Sequence, residues 1–239
     1  MTRHHGVRFD WGLDGVRRLA PVCDLVVIVD VLSFSTAVEI AVSRGATVFP
    51  CGESDAAASL AAQLGALSPA RRGEGPSLSP ASLDELRPGD VVVLPSPNGS
   101  ACSLEAAHSP AVVVAGSLRN ARAVARWARA HEVVGVVAAG ELTSTSALRR
   151  CAEDLVGAGA ILSRLERDDL SPEARVAVAA AAGLDREAGR TLHGCMSARE
   201  LRARGFDKDV ALAFQVDVSA TVPVMIEGGY RGLNEGADV

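Results

Sequence analysis

The feature that most constrains the fold is a series of short valine-rich runs with little polar–apolar alternation. They are DLVVIVDVL (24–32), TVFPC (47–51), VVVLP (91–95), AVVVA (111–115) and VVGVVAA (133–139). Each has the length of a strand, and a strand that is apolar at nearly every position is one covered on both faces. The covers lie between the runs, as alanine-rich amphipathic segments at 35–44, 54–65, 99–107 and 118–131. Strands alternating with helices predict an α/β protein with a mainly parallel sheet. Aromatic residues are scarce (Phe 5, Trp 2, Tyr 1), so Ala, Val and Leu must fill the core.

Beyond residue 140 the pattern changes. Helices are expected over about 146–165, 172–182 and 196–204, followed by two late strands, VALAFQV (210–216) and VPVMI (222–226). These elements allow a second α/β layer over 141–239, within a single domain 1–239, since no linker marks a boundary. The stretch 68–90, rich in Pro, Gly and Ser, reads as a surface excursion.

Composition narrows the function. With 22% charged and 48% hydrophobic residues and a net charge of −5, the chain is globular and carries no basic surplus for nucleic acid. No apolar run reaches the ~18 residues of a membrane span, and the opening MTRHHGVRFDWG lacks the apolar centre of a secretory signal. A cytoplasmic protein without a membrane or nucleic-acid partner is expected; the same reading allows a homo-oligomer. The five cysteines (23, 51, 102, 151, 195) are odd in number and contain no C-x-x-C, so they read as reduced thiols. His108, His131 and His193 lack the H-x-x-x-H spacing of a zinc site.

Ligands of open parallel sheets bind beyond the carboxyl ends of the strands. Three such ends carry polar residues: Asp30 with Ser33, Ser35 and Thr36; Ser96-Pro97-Asn98-Gly99-Ser100; and Gly140-Glu141 with the hydroxyls that follow. Asp30 ends a run of five apolar residues, where an unpaired charge is costly. Its partner is either a divalent metal or the N–H groups and hydroxyls of the Ser33–Thr36 turn. Pro97-Asn98-Gly99-Ser100 is a turn sequence that can also cradle an anion. Arg149 with Glu153 and Arg150 with Asp154 stand at i, i+4, the spacing of surface pairs. Adjacent Glu153 and Asp154 point about 100° apart among apolar neighbours, however, which sets one acid toward the core.

Taken in order, DVLSFST (30–36), SPNGS (96–100), GSLRNARAVA (116–125), CAEDLVGAGAIL (151–162) and SARELRARGFDKDVALAFQVDVSATVPV (197–224) give the chain a family likeness over about residues 24–226. It resembles the 2-phosphosulfolactate phosphatases, α/β Mg²⁺-dependent hydrolases that release 3-sulfolactate. The resemblance implies a small anionic phosphorylated substrate and catalytic roles for Asp30, Asn98, Glu153 and Asp154. Asp30, Glu153 and Asp154 become the Mg²⁺ ligands, with Asp30 alternatively a nucleophile. Ser33, Ser35, Thr36, Gly99, Ser100 and Arg119 become the substrate-binding set. One departure matters: where the family motif D-V-L-R-A-T has Arg, this chain has Ser33, which cannot offer the bidentate charge of a guanidinium. Either another cation, Arg119 or Arg149, takes over, or the substrate differs. The alternative is a binding protein that kept the cleft and lost turnover. A Rossmann-type dehydrogenase is disfavoured, as no G-x-G-x-x-G follows the first strand.

Overall fold

The computed structural model describes residues 6–52, 54–183 and 188–233. The chain runs β1 (Val7–Trp11), α1 (Gly12–Leu19), β2 (Leu25–Val29), α2 (Phe34–Ser43), β3 (Thr47–Cys51) and α3 (Ser54–Leu64). It continues through β4 (Val91–Pro95), α4 (Gly99–Ala106), β5 (Val112–Gly116), α5 (Ala121–Ala128) and β6 (Val134–Ala138). A two-stranded ribbon, β7 (Glu141–Leu142) and β8 (Leu148–Arg149), precedes α6 (Ala152–Ser163) and α7 (Pro172–Gly183). Last come α8 (Ala188–His193), α9 (Met196–Ala203), α10 (Asp207–Ala213), β9 (Val222–Ile226) and β10 (Gly229–Leu233).

Eight strands form one sheet in the order β1-β6-β2-β5-β9-β10-β3-β4. Two parallel blocks, β1-β6-β2-β5 and β3-β4, are joined by the antiparallel hairpin β9–β10. This is the expected α/β class with a mostly parallel sheet. Every residue of β2 is buried, as its unbroken apolar sequence requires: Leu25, Val27 and Val29 face α5, α6 and α7, whereas Val26 and Ile28 face α1, α2 and α4. The second core also takes in Val48 of β3 and Val92 and Leu94 of β4, so the sheet curls around α2 and α4. That curl brings the loop after β4 back to the end of β2.

Three expectations are corrected. The run 210–216 is not a strand: Asp207 to Ala213 form α10, which buries Val210 and Ala213 at i, i+3 and carries Asp207 and Asp209 in its first turn. The helix expected over 146–165 begins at Ala152, because Leu148 and Arg149 pair with Leu142 and Glu141. Segment 68–90 is more than a surface excursion; it contains a 3₁₀ turn at Pro80–Leu83 with Leu83 fully buried. The C-terminal segment supplies β9 and β10 to the interior of the same sheet. All five cysteines are free thiols, four of them buried. Among the described residues no helix is long and apolar enough to cross a membrane.

Candidate active site

β2 lies between β5 and β6, and the chain leaves it for β3, across the sheet, so its carboxyl end is a topological switch point. Asp30 stands there, 5% exposed, and each of its oxygens accepts a backbone N–H. Phe34 donates to Oδ1 at 3.2 Å and Gly99 to Oδ2 at 2.9 Å. Only glycine fits at 99, because a β-carbon would lie 2.7 Å from Asp30 Oδ2 and 2.4 Å from Cδ1 of the Phe34 ring. The N-terminus of α4 therefore cradles an anion, as the turn sequence suggests, but that anion is the chain's own Asp30.

Asp154 braces the neighbouring strand ends. Its Oδ1 accepts the Val31 N–H at 2.8 Å, beyond β2, and its Oδ2 the Gly140 N–H at 2.9 Å, beyond β6. Glu153 is equally buried, beside the Cys195 thiol, whose pKa is pushed up to about 12 by burial and then by Glu153. Glu141 completes the acidic group and accepts the Asn98 side-chain amide at 3.0 Å; Asn98 Oδ1 in turn takes the Leu142 N–H at 2.9 Å, fastening the ribbon to the β4 loop. Burial and the neighbouring carboxylates lift Asp30, Asp154 and Glu141. The carboxyl of Asp30 rises to about 7, chiefly by desolvation, with Glu141 and Glu153 adding to it against the pull of the two N–H groups. Asp154 is held well above the ordinary range by burial, then by Asp30 and Glu153, and Glu141 is raised by burial.

A cavity of about 200 Å³ opens over this group, lined by Asp30, Ser33, Ser96, Asn98, Glu141 and Arg72 among others. Arg72 comes from the proline- and glycine-rich segment before β4. Its guanidinium pairs with Asp209 of α10 and donates from Nη2 to Ser33 Oγ at 3.1 Å. Asp209 is fixed in turn by the Ser79 hydroxyl at 2.6 Å and the Ala81 N–H at 3.1 Å. The cation missing from position 33 is thus supplied beside it, through a loop. A larger hollow of about 360 Å³ is also lined by Asn98, but most of its charges are paired within the protein: Asp10 binds Arg18, and Arg17 binds Glu105, both at 2.8 Å.

The structure brings Asp30, Ser33, Asn98, Gly99, Glu153 and Asp154 together. Five other residues expected at the site have their side chains committed elsewhere. The Ser35 hydroxyl donates to Ile28 O at 2.9 Å and Thr36 to Val31 O at 2.8 Å, while Ser100 donates to Leu94 O at 2.7 Å, all three fully buried. Arg119 pairs with buried Glu39 at 2.5 Å and with Gln215, outside the cavity. Arg149 binds Glu200 at 3.1 Å. Sequence reasoning missed Arg72, Asp209 and Arg204, and named Glu141 only as part of a strand end. The signal available for Asp209 was its place among acids opening a helix; Arg72 had none beyond a basic pair in a turn-rich loop.

A switch-point pocket with buried acids on its floor and a guanidinium in its wall is a small-ligand site in an α/β protein. A family profile described as 2-phosphosulpholactate phosphatase matches residues 17–228. A probable 2-phosphosulfolactate phosphatase of Thermus thermophilus is 33% identical over 215 residues, 84% of this chain and 88% of the relative. One of Thermotoga petrophila, given the same description, is 28% identical over 229 residues, 87% and 92% of the two chains. The chain belongs to the 2-phosphosulfolactate phosphatase family, and its enzyme class is that of the phosphoric monoester hydrolases.

Proposed function

We propose that this protein hydrolyses 2-phosphosulfolactate, or a close analogue, to 3-sulfolactate and phosphate, with Mg²⁺ as cofactor. The observation that carries the reading is the pairing, in one cavity, of Asp30 at the floor with Arg72 in the wall. The names of the relatives supply the substrate.

The acids fit Mg²⁺ in a particular mode. Among the described residues no three or more His, Cys, Asp or Glu side chains are close enough to form a metal cage. Mg²⁺ is commonly held by one or two carboxylates, with waters and a phosphate completing its shell. Asp30 and Glu141, the two acids of the group that face the cavity, suit that role, with Glu153 and Asp154 behind them. This set keeps Asp30 from the three acids that the family likeness implies and puts Glu141 in place of Glu153 and Asp154. When bound, Mg²⁺ supplies positive charge against a phosphoryl oxygen and orients a water.

The chain's own groups do the rest. Ser33 Oγ accepts from Arg72, and Ser96 Oγ accepts the N–H groups of Asn98 and Gly99 at 3.2 Å, which leaves both hydroxyl protons for phosphoryl oxygens. Arg72, held by Asp209, adds fixed positive charge at the same place without reorganising. A binding protein without turnover would have little need of a cluster of carboxylates facing an anionic ligand without a metal, so the hydrolase reading is preferred.

The test is turnover of 2-phosphosulfolactate with excess Mg²⁺ and with EDTA, in wild type and Asp30→Asn. Hydrolysis should vanish in EDTA and return with Mg²⁺, and Asp30→Asn should lose at least a thousandfold, order of magnitude, in kcat while remaining folded by circular dichroism. Equal rates with and without EDTA would remove the metal, and an active Asp30→Asn would remove Asp30 from the chemistry.

A further inference from the structure

The mouth of the cavity holds a second guanidinium. Arg204, the residue that ends α9, lines the cavity, and its Cζ lies 5.4 Å from the centroid of the Phe206 ring. The Cζ of Arg72 lies 5.3 Å from that same ring. Two cations that line one pocket thus lie over one aromatic ring. Arg72 is neutralised by Asp209, but among the described residues Arg204 has no hydrogen-bond or ion-pair partner. The carboxylates nearby are taken: Glu200 by Arg149, Glu141 by Asn98, and Asp209 by Arg72 with Ser79 and Ala81. Like charges gathered this closely are repulsive, and burial together with Arg204 lowers the pKa of Arg72. The cluster has one positive charge in excess, facing the cavity.

We propose that Arg204, with Arg72 beside it on Phe206, forms a subsite for the acid group of the substrate farthest from the phosphoryl, in 2-phosphosulfolactate the sulfonate. The inference rests on the phosphatase reading and extends it to specificity. The arrangement sorts the anions by depth. Ser33, Ser96 and Arg72 meet the phosphoryl end over Asp30, and Arg204, further out, meets the remote acid. The Phe206 ring holds Arg204 in place through the cation–π contact while leaving its N–H fork free to bind an oxyanion in bidentate fashion. Arg204 would then be the residue by which this chain prefers a multiply charged phosphomonoester over a plain one.

The experiment compares kcat/KM for 2-phosphosulfolactate and p-nitrophenyl phosphate in wild type, Arg204→Gln and Arg204→Lys. Arg204→Gln should raise KM for 2-phosphosulfolactate on the order of tenfold to a hundredfold with kcat little changed, the loss of charge-assisted hydrogen bonds to one oxyanion. The aryl phosphate should be unaffected, and Arg204→Lys, which keeps the charge and loses the fork, should fall between. Equal losses on both substrates, or none on either, would overturn the proposal. A second arm uses 3-sulfolactate, which has the remote acid and no phosphoryl group, as a calorimetric ligand. It should bind Arg204→Gln at least ~10-fold more weakly than wild type, and equal binding would overturn the subsite. Should wild type hydrolyse neither phosphomonoester, the phosphatase reading fails, while the sulfolactate arm still decides the role of Arg204.

Discussion

A guanidinium that arrives through a loop changes what position 33 tolerates. Ser33→Arg would restore the residue of the family motif, yet Ser33 Oγ already accepts from Arg72, so the new side chain would be pressed against an existing cation. Phe34, fully buried against Gly99, leaves no slack on the other side. We expect kcat/KM for 2-phosphosulfolactate to fall about tenfold or more in Ser33→Arg, by like-charge repulsion at short range. A gain in kcat/KM would show that Arg72 yields the place. The residues legible in the sequence were those whose place follows from a strand end: Asp30, Asn98, and the acids after β6 and at the start of α6. Arg72 and Arg204 were not legible, because only the tertiary packing of α10 against the 3₁₀ turn at 80–83 brings them to the cavity. Conversely, Thr36 and Ser100 matched the motif hydroxyls, but buried hydroxyls at the start of a helix bond first to the nearest free carbonyl.

At the scale of elements, α6 packs closely on α7, and Gly159 makes the contact possible. A β-carbon there would collide with the carbonyl oxygen of Ala177 and lie 2.7 Å from its carbon. Glycine to alanine within a helix ordinarily gains up to about 1 kcal/mol from propensity. Here overpacking against backbone should outweigh it, and we expect Gly159→Ala to lose roughly 1–3 kcal/mol in urea denaturation. A stabilised variant would mean that α7 can move outward at little cost. The parallel strands β2 to β6 were readable to within a residue or two, since an all-apolar run bounded by turns has few other uses. Three elements were not read that way. VRFDW at β1 mixes charge with apolar residues at a sheet edge, and GYRGL at β10 carries two glycines. VALAFQV is apolar enough for a strand, but its buried positions follow helical spacing.

The acidic cluster links the stability of the whole molecule to pH. The carboxyl of Asp30 sits at about 7 in the fold against 3.8 ordinarily, so the folded chain holds an extra proton between the two values. Stability from this group is complete below about pH 4 and is lost as pH rises to about 7. His193, lowered by burial and Arg202, acts in the opposite sense up to about 6.5, so the effect is best read as a difference. In EDTA, the melting temperature of wild type relative to Asp30→Asn should decline across pH 4–7. Excess Mg²⁺ at pH 8 should then raise wild type more than the variant. A gap constant with pH would mean that Asp30 titrates normally in the fold.

The hairpin β9–β10 has a consequence for how such a chain is made. It follows every other strand in sequence, yet it lies between β5 and β3 in the sheet. A nascent chain that has emerged only as far as α10 therefore consists of two parallel blocks with no hydrogen bonds between them, each with an open edge of the kind that invites pairing with another molecule. Translation reaches the centre of the sheet last, so the two halves of the sheet are joined only once this hairpin has been made.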